Sequence, residues 1–202
     1  MKPLWKLSDH KEMIVQSHYR VLTLPGLYGS GAEHWQSRWE ALHPWFERIE
    51  QDDWNTPDLP RWAAKLEAAL HASDKPVLIA AHSFGCLTTV HAAARGAPNL
   101  AGALLVAPAD PDKFGLSDIL GGRALAFPAL VLGSTTDPWM SEERAAYWAG
   151  QWGAQYRCLG AVGHINAETG LGDWPEGLSL LQSFTINIQN SSKDIPKNSF
   201  CL

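Results

Sequence analysis

The sequence is short of cysteine, of net positive charge and of long apolar runs, and each shortage removes a class of function. Its three cysteines, Cys86, Cys158 and Cys201, show no metal-type spacing and are too few and too odd in number for a disulfide framework. A reduced, cytoplasmic setting is the expectation. Lys and Arg number 16 against 21 Asp and Glu, a net charge of -5, so the clustered basic charge that nucleic acid or an anionic membrane requires is missing. No apolar run approaches the roughly 18 residues of a membrane span. The first residues, MKPLWKLSDHKEMIVQSHYR, break their apolar positions with charges and do not read as a signal peptide. His34, His43, His71 and His91 lack acidic or cysteine partners at ligand spacing, so neither a metal nor another cofactor is expected.

What the sequence has in quantity is tryptophan, ten residues in 202, most of them expected to wedge helices against a sheet. That length fits one domain with a sizeable core. Six short apolar runs alternate with helix-forming ones. The strand candidates are Tyr19–Leu24, Phe46–Glu50, Val77–Ala81, Ala101–Ala107, Ala129–Gly133 and Ala154–Leu159, the last less apolar and so expected at an edge. Helices are predicted from Ser30 or Gly31, from Leu59 with Asp58 as N-cap, over Leu87–Arg95, from Ser141 to about Trp152, and from Pro175 through Phe184. Strands apolar throughout and alternating with helices imply a mostly parallel sheet covered on both faces, a three-layer α/β/α sandwich. Residues 1–17 read as a loosely attached leader, 18–186 as the folded domain and 187–202 as a disordered tail.

The chemistry starts at Ala81-His82-Ser83-Phe84-Gly85, between the Val77 strand and the Leu87 helix. A serine at a strand-to-helix turn with small residues two positions to either side has the form of a nucleophile elbow, although Ala81 stands where the motif usually has Gly. Serine needs a base and an orienting carboxylate, and in parallel sheets such groups gather beyond the carboxyl ends of strands. The loop after Ala129–Gly133 supplies Asp137, and the loop after the last strand supplies His164. Nucleophile, acid and base then follow in the chain order of α/β-hydrolases. Asp110, also beyond a strand end, is the rival acid. Oxyanion donors are expected from the amide after the serine, Phe84, and from the loop after the first strand, where Leu27 leads and Tyr28 is second. His82 is expected to point away from the reacting groups and to buttress the turn, and Cys86 to serve packing.

Several segments also match a family pattern: Leu24-Pro25-Gly26 with Gly29-Ser30, His34-Trp35-Gln36 ahead of Trp39, and His82-Ser83-x-Gly85-Cys86. Asp137-Pro138 and Gly163-His164-Ile165-Asn166, followed by Gly170, Gly172 and Trp174-Pro175-Glu176-Gly177, complete it. Over about residues 19–184 the chain resembles the small α/β serine hydrolases related to retinoblastoma-binding protein 9 and the bacterial YdeN-type proteins. The resemblance implies an α/β-hydrolase fold with Ser83, Asp137 and His164 as nucleophile, acid and base, and it favours Asp137 over Asp110. It implies no protein partner, because the Leu-x-Cys-x-Glu motif is absent around all three cysteines. The expectation is a carboxylesterase-like serine hydrolase acting on small acyl substrates. The alternative is a catalytically silent hydrolase-fold module that binds a ligand or protein.

Overall fold

A computed structural model describes residues 12–97 and 99–193. Six strands form one parallel sheet in the order β2-β1-β3-β4-β5-β6: β1 Arg20–Leu24, β2 Phe46–Arg48, β3 Val77–His82, β4 Leu100–Val106, β5 Ala129–Gly133 and β6 Gln155–Cys158. The helices are α1 (12–18), α2 Trp35–Leu42, α3 Leu59–His71, α4 Phe84–Ala94, α5 Ser117–Leu120, α6 Glu142–Gln151 and α7 Pro175–Lys193.

The central strand explains the layering. Every residue of β3 is buried, and its side chains alternate between two cores. Val77, Ile79 and Ala81 face α3, α4 and α6 with Leu66, Leu87 and Trp148; Leu78 and Ala80 face α1, α2 and α7 with Val15, Trp39 and Phe184. This is the expected three-layer α/β/α sandwich. Asp58 and Ser141 cap α3 and α6 as predicted, accepting from the amides of Arg61 and Arg144. Trp35, Trp39, Trp62, Trp148, Trp152 and Trp174 are all buried between helices and sheet, whereas Trp139 is exposed.

Helix α4 begins at Phe84 rather than at Leu87, and three further boundaries differ from the sequence reading. Helix α2 begins at Trp35 rather than at Ser30 or Gly31, because Tyr28 and Ser30 take left-handed torsions that end one turn before another can start. Residues 12–18 are helical and Val15 is fully buried, so the part of the proposed leader that is described packs onto the sheet. Helix α7 runs on to Lys193 instead of stopping near Phe184. Ile188 is buried against β4, and a Cβ on Gly102 would lie 2.5 Å from its Cδ1. The proposed tail is therefore helical over 187–193. Residues 1–11 and 194–202 lie outside the described residues.

Candidate active site

The strands' carboxyl ends bring three of the sequence-predicted residues together. Ser83 follows β3 with φ 52° and ψ -120°, a torsion rare for a residue with a side chain, and α4 begins at the next residue. The tight turn depends on Gly85. A Cβ there would sit 2.2 Å from the Leu24 carbonyl oxygen and 2.7 Å from that of Pro25, both rigid backbone atoms. Ala81, the apparent flaw in the motif, lies within β3 with its methyl in the core beside α4, where no close backbone approach demands glycine.

His164 Nε2 lies 3.1 Å from Ser83 Oγ, and His164 Nδ1 lies 2.8 Å from Asp137 Oδ2. The Asp137 side chain is 3% exposed and that of His164 10%. A carboxylate only accepts, so Nδ1 carries the proton and Nε2 is left as an acceptor facing the hydroxyl. The second carboxylate oxygen, Oδ1, accepts from the Trp139 amide at 2.8 Å. The acid and base loops are knitted together by residues the sequence reading did not single out. Ser134 Oγ accepts from the Val162 amide and Thr136 Oγ1 from the Gly163 amide, at 3.1 and 3.0 Å.

Asp110, the rival acid, is committed elsewhere. Arg144 of α6 grips its two oxygens through Nε and Nη2 at 2.8 and 2.7 Å, and Asp110 Oδ1 also accepts from the Asp112 amide. It fastens the segment after β4 to α6.

The loop after β1 lies directly against the elbow. A Cβ on Gly26 would meet Ser83 Cβ at 2.6 Å and Phe84 N at 3.2 Å. Tyr28, the second choice for an oxyanion donor, spends its amide on the Trp54 carbonyl at 2.9 Å. The amides of Leu27 and Phe84 donate to no acceptor among the described residues. Arg48 holds the loop's shape, donating to the carbonyls of Gly29 and Ser30 and to Ser37 Oγ while paired with Glu40. Arg48, a charged residue within β2, thus fixes this loop, while its neighbour Glu47 pairs with Arg20.

Among the described residues no group of three or more His, Cys, Asp and Glu side chains could hold a metal ion, and no helix is long and apolar enough to cross a membrane. His43 pairs with Glu12, His71 bonds the Glu67 carbonyl, and His34 packs against His82. Cys86 is fully buried with its thiol directed at the Val106 carbonyl, and burial pushes that thiol well above its usual range.

Residues 21–183 match the family described as serine hydrolase. The chain belongs to that family. A YdeN-like protein from Pectobacterium atrosepticum is 39% identical with a TM-score of 0.85, over 89% of this chain and 97% of its own. The ydeN gene product of Bacillus subtilis gives 0.64 at 19% identity, over 82% and 97%. Est1E of Butyrivibrio proteoclasticus gives 0.62 at 12%, over 84% and 88%; the likeness to these last two concerns the fold alone. No curated protein matches the chain. The family resemblance drawn from the sequence is therefore correct.

Proposed function

We propose that the protein hydrolyses small ester-type substrates through an acyl-enzyme on Ser83. The observation that carries this reading is the continuous Ser83–His164–Asp137 hydrogen-bond chain at 3.1 and 2.8 Å, in the tautomer a general base requires. His164 Nε2 takes the Ser83 proton as Oγ attacks the acyl carbonyl. The carbonyl's π electrons move to oxygen, where the Leu27 and Phe84 amides receive the charge. Collapse of the tetrahedral intermediate breaks the bond to the leaving alcohol, which takes the proton from His164. Water, deprotonated by His164, then repeats the attack on the ester to Ser83 and releases the acid. Asp137 holds the imidazole and stabilises its charged form. Each oxyanion donor is worth about 3–4 kcal/mol at the transition state.

Between β4 and β5 the chain contributes only the turn Pro111–Phe114 and the four-residue α5. So little covering material favours short acyl chains over long lipids. The test is fluorophosphonate labelling together with hydrolysis of p-nitrophenyl esters of graded length. We expect Ser83 to be labelled, and Ser83→Ala or His164→Ala to lower kcat by about 10⁶-fold. Asp137→Asn should cost about 10⁴-fold while leaving the fold intact. Labelling that persists in Ser83→Ala would remove the nucleophile. A wild-type protein that neither labels nor turns over would favour the binding module, and a preference for long chains would remove the substrate class.

A further inference from the structure

Two backbone carbonyls of the base loop accept hydrogen bonds that the acyl-transfer steps do not use. His82, the residue before Ser83, directs Nε2 at the His164 carbonyl at 2.9 Å. Trp35, the first residue of α2, directs its indole N–H at the next carbonyl, that of Ile165, at 2.9 Å. Both donors are buried, at 5% and 1% exposure. Ile165 itself is fully buried with φ 50°. A β-branched residue in the left-handed region is strained, and such strain survives only where the surroundings over-determine it. Here two side chains, from two different elements, hold the carbonyls on either side of the strained torsion.

The protonation of His82 follows from its partner. A carbonyl can only accept, so Nε2 carries the proton. The ring sits edge-on between His34, with centroids 4.6 Å apart, and His164, at 4.8 Å. Burial first, then the neighbouring His34 and His164, hold His82 well below the ordinary histidine range. It stays neutral, with its one proton committed to the carbonyl. His34 is held in turn by the Gln36 amide, which donates to its Nδ1 at 3.2 Å.

The two sets of bonds on the base loop have different reference points. Ser134 and Thr136 tie residues 162–163 to the loop after β5 and so set base against acid. His82 is joined to Ser83 by one peptide bond, so its hydrogen bond sets base against nucleophile. We propose that His82 and Trp35 are positioning residues, a two-point clamp that imposes the left-handed turn at Ile165 and fixes the direction in which His164 presents Nε2 to Ser83. The proposal rests on the triad reading above.

The experiment compares His82→Phe, which keeps a planar ring and loses the donor, with His82→Gln, which keeps an N–H at similar reach, and with Trp35→Phe. Each is read by kcat and KM on a short p-nitrophenyl ester and by the downfield proton resonance of His164 Nδ1–H. With the clamp as proposed, His82→Phe lowers kcat about 10- to 100-fold with KM within about 3-fold, as expected for misplaced reacting groups. The Nδ1–H resonance shifts or broadens. His82→Gln restores both to near wild type, and Trp35→Phe reproduces the phenylalanine pattern more weakly. An unchanged kcat and resonance in His82→Phe overturns the clamp, as does a loss that His82→Gln fails to restore. A loss that merely tracks a lower melting temperature does the same. The resonance reports His164's setting whether or not the ester is turned over, so a wild type without activity would sink the hydrolase reading while the clamp is still judged on the spectrum.

Discussion

At the scale of single residues, the elbow shows how the same small side chain can be required at one position and optional at another. Gly85 faces the end of β1 so closely that a methyl group would overlap the Leu24 carbonyl oxygen at 2.2 Å. Neither partner is a flexible side-chain end, so the backbone itself must move, and it carries Ser83 away from the Leu27 amide. Ala81 faces the core, where its methyl fills space. Opposite outcomes follow from two substitutions that look alike. Gly85→Ala should abolish fluorophosphonate labelling, whereas Ala81→Gly, which restores the more usual motif, should leave kcat unchanged. The latter should cost about 0.5–1 kcal/mol of stability from glycine in a strand interior. A gain in kcat from Ala81→Gly, or normal labelling of Gly85→Ala, would contradict this account of the turn.

At the scale of elements, what was legible depended on how much of the signal lay within the element. The strand β3 was plain because burial on both faces makes it an unbroken apolar run, and the caps Asp58 and Ser141 act on amides three residues away. The triad was legible for a related reason: in a parallel sheet the strand ends alone say which loops can meet. Helix α1, the start of α2 and the end of α7 were misread because their determinants are distant. Tyr28 and Ser30 are turned by Trp54 and Arg48, and Val15 and Ile188 sit in short apolar stretches bounded by polar residues, with partners elsewhere in the sequence. The clamp was hidden likewise, since His82 and His164 are 82 positions apart. Ile188 gives the element-scale test. As part of a disordered tail its replacement by Ala would change stability by no more than about 0.5 kcal/mol. Packed under α7 against β4, it should cost about 2–4 kcal/mol in urea unfolding. A value near zero would detach the last turns of α7 from the core.

At the scale of the whole molecule, positive φ values at Tyr28, Ser30, Ser83, Ala107 and Ile165 fall in the segments that follow the carboxyl ends of β1, β3, β4 and β6, where the reacting groups collect, and that at Trp174 leads into α7. The same side buries two histidines that the acyl-transfer steps do not use, and this ties global stability to pH. Burial first, then the nearby Arg48 and His164, push His34 down to about 3; His82 is also held well below its ordinary value. In the unfolded chain each titrates near 6.5. Between that value and the depressed one the unfolded state binds a proton that the native state does not. The stabilisation is therefore complete above about pH 6.5 and is lost as the pH falls toward about 3 for His34. Each such histidine contributes a slope of up to about 1.4 kcal/mol per pH unit. His91, lowered mainly by partial burial, adds a smaller part. From pH 6.5 down to about 5.5 the carboxylates remain almost fully ionised, so this window belongs to the histidines. Replacing His34 with Asn keeps a side chain able to cap α2 and removes one titration. The urea-unfolding free energy of His34→Asn should fall less steeply across that window, by about one proton's worth of slope, whatever the substitution does to stability at pH 7. Parallel slopes for the two proteins would mean that His34 takes up its proton in the native state, and the packing of the His34–His82–His164 row would have to be redrawn around a charged ring.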